Sequence, residues 1–284
     1  MAGSAVVQLS PVLQRDAPAV SAVASVTAFR PVEVAPARKL DLVVRGLRKS
    51  FDRTTMVLGG VDLSVPAGQA VALIGANGAG KSTLLRCCLR LIEPDSGDVR
   101  VLGSDMAALN PSELRLLRAK VGFVFQRHNL VPRLSALTNV LHGALPRSGF
   151  ARPWFQSCAP RALRDEAMAC LERVGLAAIA ARRADKLSGG QSQRVAIARA
   201  LMQRPHMMMA DEPVASLDPS SGEEVMGLFA DLIRRDSLTL LFTSHDLSQA
   251  IAYADRVVAL RQGTIVLDAP TTGLDVATLR AFYA

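Results

Sequence analysis

The sequence predicts an α/β fold with a mostly parallel sheet, an N-terminal antiparallel β subdomain and an inserted helical subdomain. Three observations lead there. After residue 206, apolar strand patterns alternate with amphipathic helical ones. A Gly-rich loop, Gly75–Ser82, sits between a buried apolar strand pattern and helical spacing. Over about 111–190, strand patterns are scarce and helical ones dominate. The chain has 284 residues, half of them apolar and 20% charged. That is enough for one large α/β domain carrying a subdomain.

The elements follow in order. Residues 1–39 are rich in Ala, Val, Pro and Ser, with Pro11, Pro18, Pro31 and Pro36 and no clear period. A disordered or loosely attached extension is expected there. The domain is expected over 40–275. LDLVVRGLRKSF alternates like a strand from Leu40. VDLSVPAGQAVALIG reads as strand, turn and buried strand, and KSTLLRCCLRLI has helical spacing. EPDSGDVRVLG is a turn and a short strand. PSELRLLRAK opens with Pro at a helix N-terminus, VGFVFQ is a short strand, and RALRDEAMACLERVGL is a helix stopped by Gly175. Between these, PRSGFARPWFQSCAP is a loop-like insertion holding Trp154, and local packing is its expected role. HMMMADEP and LTLLFTSHD read as strands, each followed by a helix. RVVALRQGTIVLDAP is a hairpin turning at Gly263, and a short helix over 276–284 ends the chain.

Composition narrows the function. The net charge of +8 comes from scattered basic residues, with no run of five, and aromatic residues are only 4%. Stacking platforms for nucleic acid are therefore not expected. Cys87, Cys88, Cys158 and Cys170 form no C-x-x-C pair, so reduced thiols in a cytoplasmic protein are expected. No apolar run reaches the roughly 18 residues of a spanning helix. The N-terminus lacks the basic start of a signal peptide.

The chemistry is concentrated in a few stretches. Gly75–Ser82, GANGAGKS, fits G-x-x-x-x-G-K-[ST] between strand and helix, the context of a phosphate-binding loop. Its backbone from Gly75 through Ala76, Asn77, Gly78, Ala79 and Gly80 to Thr83 is expected to cradle phosphates. Lys81 should reach the β- and γ-phosphates, and Ser82 should reach Mg²⁺. MMMADE places Asp211 at a strand's carboxyl end, to order the metal shell, followed by Glu212 as general base. Gln126 and His245 end other strands. Gln126 is expected to contact metal or water, and His245 the γ-phosphate. LSGGQSQRVAIARA, from Leu187, repeats the logic of an anion site at a helix mouth, but without a lysine. Val195, Ile197 and Ala198 should face inward there, with Arg194 and Arg199 open to polar partners.

Six motifs in this order resemble the ATP-binding subunits of ABC transporters: Gly75–Ser82, Gln126, LSGGQ at Leu187–Gln191, MMMADE at Met207–Glu212, ASLD at Ala215–Asp218, and His245. The resemblance covers about 40–270 and implies a P-loop NTPase core. It implies that Phe51 stacks on adenine, a contact worth about 1–3 kcal/mol in nucleic-acid systems. It also implies that Ser188, Gly189, Gly190, Gln191 and Asp218 complete the ATP site of a second copy of the chain. Within the family the sequence is most similar to phosphonate-importer ATPases, through VGFVFQRHNLVPRLSALTNVLHGAL, the Trp154 insertion and ADEPVASLDP. Ser192, Asp246 and the methionines Met207–Met209 depart from that branch. The implied protein is a Mg²⁺- and ATP-dependent importer subunit at the cytoplasmic face of the cell membrane. Its partners would be integral permease subunits and, indirectly, a substrate-binding protein. Another solute, phosphate or an amino acid, is the alternative. A soluble ATPase acting on nucleic acid or the ribosome is remote, because the loop-to-LSGGQ gap is short and the chain carries one cassette.

Overall fold

Five consecutive apolar residues, Ala70–Ile74, make a strand buried on both faces, β3. A strand with this pattern belongs inside a parallel sheet covered on each side. The computed structural model describes residues 39–52, 55–148 and 158–283. The N-terminal stretch 1–38 and Trp154 lie outside the described residues. β3 is central to a six-stranded sheet ordered β10-β9-β3-β8-β7-β6. The others are β6 (Val121–Val124), β7 (Met207–Ala210), β8 (Thr239–Ser244), β9 (Arg256–Arg261) and β10 (Thr264–Pro270). All pairings are parallel except the β9–β10 hairpin.

The register puts four strand ends on one edge. Ile74 pairs with Ser244, and Ala210 with Phe242 and Val124. The next residues along these strands are Gly75, His245, Asp211 and Phe125. This is the edge at which open α/β sheets bind ligands.

Period-two alternation sends neighbouring side chains into two cores. Val71, Leu73, Met207, Met209 and Leu241 meet a second, antiparallel sheet ordered β2-β1-β4-β5. That sheet comprises β1 (Leu40–Ser50), β2 (Met56–Pro66), β4 (Ser96–Val101) and β5 (Ser104–Asp105). The helix α1 (Lys81–Cys88) fills the space between the sheets with Leu84 and Leu85. Burial here pushes the Cys87 thiol up to about 11 and the Cys88 thiol higher still, so both remain protonated packing residues. Ala70, Ala72, Ile74, Met208 and Phe242 face the other core. Each fully buried Leu, Ile or Phe contributes about 1.5–3 kcal/mol.

The second core is roofed by helices. They are α3 (Ala136–Leu141), α5 (Arg161–Arg173), α6 (Gly189–Leu201), α7 (Pro219–Asp236), α8 (Leu247–Tyr253) and α9 (Val276–Tyr283). Two short helices complete the set: α2 (Pro111–Arg118), capped by Asn110 and Glu113 with Pro111 in its first turn, and α4 (Leu145–Ser148). α3, α5 and α6 pack against one another as the helical subdomain. β6 falls within residues 111–190 but belongs to the large sheet.

Buried polar groups tie these layers. Asn139, fully buried on α3, accepts from the Val131 backbone N–H at 2.7 Å. Its amide donates to the Val131 and Ser135 carbonyls at 3.2 and 3.0 Å, fixing the loop before the helix. Thr239 begins β8 by donating to Asp41 on β1 at 2.5 Å and accepting from the Gly68 N–H at 2.8 Å. Gly263, at φ +76°, accepts from Gly59 of β2 and donates to the Ala79 carbonyl, so the β9–β10 turn holds the loop after β3. A Cβ at Gly263 would stand 2.4 Å from the Val57 carbonyl oxygen.

Candidate functional site

The loop after β3 begins with Gly75 at φ +150°, where a Cβ would lie 2.2 Å from the Leu260 carbonyl oxygen. Only glycine lets the chain turn this close to β9. The loop ends at Gly80, which caps α1. Lys81 follows and is buried, yet it carries an ammonium. Its Nζ donates to the Gly75 and Ala76 carbonyls at 2.7 and 3.2 Å and stands 3.7 Å from Glu212 Oε1. The charge is thus held inside the ring of backbone that a phosphate would enter. Asn77 and Gly78 are at the exposed tip of this loop. Ser82 and Thr83 lie in the first turn of α1.

Asp211 continues β7, its N–H donating to the Val124 carbonyl at 2.9 Å. Its side chain is 1% exposed. Oδ1 accepts from Ser82 Oγ at 2.7 Å and from Thr243 Oγ1 at 3.1 Å, while Oδ2 faces Arg86 Nη2 at 3.5 Å. A buried carboxylate needs such partners, because desolvation of the lone charge costs several kcal/mol. Glu212 takes the left-handed conformation at φ +48°, a strain of about 1–3 kcal/mol for a non-glycine residue. Its N–H donates to Thr243 Oγ1 at 2.7 Å. Its Oε2 accepts from Gln126 Nε2 at 3.2 Å.

The sheet edge therefore brings together Lys81, Ser82, Asp211, Glu212 and Gln126. Gln126 meets Glu212; it has no hydrogen bond to Ser82 or Asp211. His245 is exposed at the end of β8 and lines a cavity of about 430 Å³ with Asp246, Ser248 and Arg280. Asp246 caps α8, accepting from the Ser248 and Gln249 N–H groups at 2.8 and 3.1 Å. Phe51 is 62% exposed, with the Lys49 ammonium 5.7 Å from its ring centroid. Asp95 anchors this end of β1. It accepts from Lys49 Nζ, the Ser50 hydroxyl and the Ser50 N–H, bonds that hold its carboxyl down at about 2.

The LSGGQ stretch is built differently. Ser188 caps α6 by accepting from the Gln191 N–H at 3.2 Å, and the Gln191 side chain accepts from the Ser188 N–H at 3.1 Å. A Cβ on Gly189 would meet Leu217, and one on Gly190 would meet Ser221 at 3.0 Å. The stretch thus lies beside the start of α7, where Asp218 is the cap. The Ser221 N–H and then the Ser220 hydroxyl hold the Asp218 carboxyl at about 2. Along α6, Val195, Ile197 and Ala198 are buried. Arg194 pairs with Glu224 of α7 at 3.3 Å. Arg199 donates to the His128 and Asn129 carbonyls at 2.9 and 2.6 Å, joining α6 to the segment after Gln126. Burial, then the Arg199 charge, holds His128 below the usual imidazole range.

Sequence reasoning did not single out Thr243, Arg86, Asn139 or Asp95. Thr243 and Asn139 had a signal: each is a polar residue inside an apolar run. Arg86 and Asp95 had none, because their partners are distant in sequence.

The chemistry of the donor set fits Mg²⁺. Ser82 and Asp211 present hard oxygens 2.7 Å apart, and Mg²⁺ uses one or two protein oxygens beside water and substrate phosphates. Among the described residues no group of three or more His, Cys, Asp or Glu could form an all-protein cage.

The ABC transporter family matches residues 58–215, more than half of the chain. The chain belongs to that family. Its relatives include the phosphonates import ATP-binding proteins of Alcaligenes faecalis and Frankia casuarinae. They are 46% and 48% identical to it, over 85% and 81% of this chain and 87% and 90% of theirs. Among solved structures, a dimeric post-hydrolysis ATP-binding cassette bound to ADP and Pi matches with a TM-score of 0.73. It is 32% identical over 82% of this chain and all of that one. A nucleotide-free cassette of an ABC transporter also matches at 0.73, 25% identical over 86% of this chain and 95% of that one. The expected α/β cassette, with its antiparallel and helical subdomains, is the fold found.

Gly75→Ala tests the loop geometry. The added methyl must displace the loop from β9, costing roughly 1–3 kcal/mol. A lower urea midpoint and loss of fluorescent-ATP binding are expected; unchanged binding contradicts the close packing.

Proposed function

We propose that this chain is the ATP-hydrolysing subunit of an ABC importer whose solute is a phosphonate or a related organophosphorus compound. The observation that carries the reading is the convergence of Lys81, Ser82, Asp211 and Glu212 on one sheet edge in a chain whose relatives are phosphonate-import ATPases.

ATP is the substrate. Phe51 stacks on the adenine, and backbone N–H groups over 75–83 hold the phosphates. Lys81 offers its remaining N–H to the β- and γ-phosphates. Ser82 and Asp211 hold Mg²⁺, which when bound offsets the phosphate charge. Glu212 accepts a proton from the attacking water as the new oxygen–phosphorus bond forms and the bond to ADP breaks. Gln126, bonded to Glu212, orients that carboxylate, and His245 holds the γ-phosphate. Preorganised donors and charges in contact with the developing charge are usually the largest single source of rate in such transfers.

The second cradle supports a second copy of the chain as partner. The neighbours of Ser188–Gly190 are Leu217 and Ser221, whereas those of Lys81 are Gly75, Ala76 and Glu212. The two cradles complete each other when a second copy places its Ser188–Gln191, with the Asp218-capped turn behind it, over the first copy's ATP. The dimeric cassette among the structural neighbours supports this arrangement.

No helix among the described residues is long and apolar enough to cross a membrane. The import ATP-binding relatives support a separate integral permease that carries the solute, with this chain bound to its cytoplasmic face around the segment after Gln126. A substrate-binding protein delivers the solute. Asp246 and Ser192 leave the machinery intact: Asp246 caps α8, and Ser192 continues α6 through its N–H to Ser188.

Glu212→Gln should bind ATP, hydrolyse it roughly 10²–10⁴-fold more slowly and accumulate dimers on a sizing column. Persistent monomers with bound ATP contradict closure. A strain lacking this chain should grow on phosphate and fail on phosphonates as sole phosphorus source. Normal growth on every phosphonate removes the substrate assignment and leaves the ATPase standing.

A further inference from the structure

We propose that Thr243 is a positioning residue for hydrolysis: its single hydroxyl sets the Asp211 carboxylate and the Glu212 peptide in register. The inference rests on the reading of Asp211 as metal-shell residue and Glu212 as general base.

Thr243 is fully buried near the carboxyl end of β8, on the same face as Leu241 and Thr239. A valine would fill the same space without a hydroxyl to satisfy, so a threonine here must have a partner. It has two. Oγ1 accepts from the Glu212 N–H at 2.7 Å, which leaves its one proton for Asp211 Oδ1 at 3.1 Å. The direction of both bonds is therefore fixed.

Each bond has a separate consequence. With Ser82 also donating to Oδ1, the Asp211 carboxylate is held in one orientation, and Oδ2 is left facing Arg86. The bond to Glu212 fixes the 211–212 peptide in its left-handed turn, at φ +48°. That turn aims the Glu212 carboxylate at Lys81, 3.7 Å away, and at Gln126, 3.2 Å away. Without the hydroxyl, the peptide can relax towards ordinary φ and carry the base off line. A displacement of about 1 Å is enough to lose much of the rate. Thr239, equally buried on the same strand, serves as the internal control, because its bonds reach only Asp41 and Gly68 at the opposite edge.

The test compares Thr243→Val, Thr243→Ser and Thr239→Val in the full chain. Thr243→Val should lower kcat roughly 10–100-fold, as removal of a support behind a metal-site residue does. The KM for ATP should change by less than about threefold, and the Mg²⁺ concentration for half-maximal rate should rise. Binding of a fluorescent ATP analogue, measured with and without Mg²⁺, should lose part of its Mg²⁺-dependent tightening. Thr243→Ser should restore kcat to within about threefold. Thr239→Val should lower the urea midpoint and leave the Mg²⁺ response unchanged. Should Thr243→Val fail to fold, Thr243→Ala is measured in its place against the same criteria. Wild-type kcat and Mg²⁺ response in Thr243→Val, or equal impairment in Thr243→Ser, overturns the proposal. Glu212→Gln assayed in parallel separates the two levels. Full hydrolysis by that variant defeats the reading of the site, whereas an inert Glu212→Gln beside a normal Thr243→Val defeats only the role of Thr243.

Discussion

The buried carboxylate of Asp211 is the point on which the arrangement depends. It follows β7, accepts hydrogen bonds from the hydroxyls of Ser82 on α1 and Thr243 on β8, and pairs through its backbone with the end of β6. Four elements far apart in sequence meet at one charge. An unpaired carboxylate in that position would be costly, so the same bonds that make its burial tolerable also align the site. The parallel register then does the rest. Once Ala210 pairs with Val124 and Phe242, the glycine loop, the acidic pair, Gln126 and His245 share one edge.

The helical subdomain shares an apolar core with the sheet, Leu171, Val195 and Ile197 clustering with Met208 and Phe242, and polar contacts add to it. α6 reaches the sheet side through Arg194 to Glu224 and through Arg199 to the carbonyls of His128 and Asn129. α5 adds Arg173 to Asp236 at the end of α7. The two ion pairs among these contacts, Arg194 with Glu224 and Arg173 with Asp236, contribute only about 0–1 kcal/mol each. Arg199 links the helix that begins with LSGGQ to the segment that follows Gln126.

Much of this was legible in the sequence because it is local. GANGAGKS needs its glycines for backbone reasons that operate within eight residues. MMMADE reads as a buried strand delivering acids, and LSGGQ reads as an anion site at a helix mouth. The alternation of strand and helix after residue 206 gave the parallel sheet. The supporting shell was less legible, since Asp95 and Arg86 act across separations that a linear pattern does not encode. Gln126 was expected at metal or water, and in the structure its amide donates to Glu212. That relation is set by β6 pairing with β7 and by nothing within VGFVFQ itself.

In the proposed dimer, each ATP is held by Lys81 of one copy and Ser188 of the other. Chains carrying Ser188→Cys and chains carrying Asn77→Cys, both with Glu212→Gln and with the exposed Cys158 replaced by Ser, can be mixed and treated with a short thiol cross-linker. Cross-linked dimers that form in the mixture with ATP, and in neither chain alone, are the predicted result. A single chain carrying both cysteines that closes on itself as a monomer, or a mixture that yields no cross-linked dimer with ATP, would contradict it.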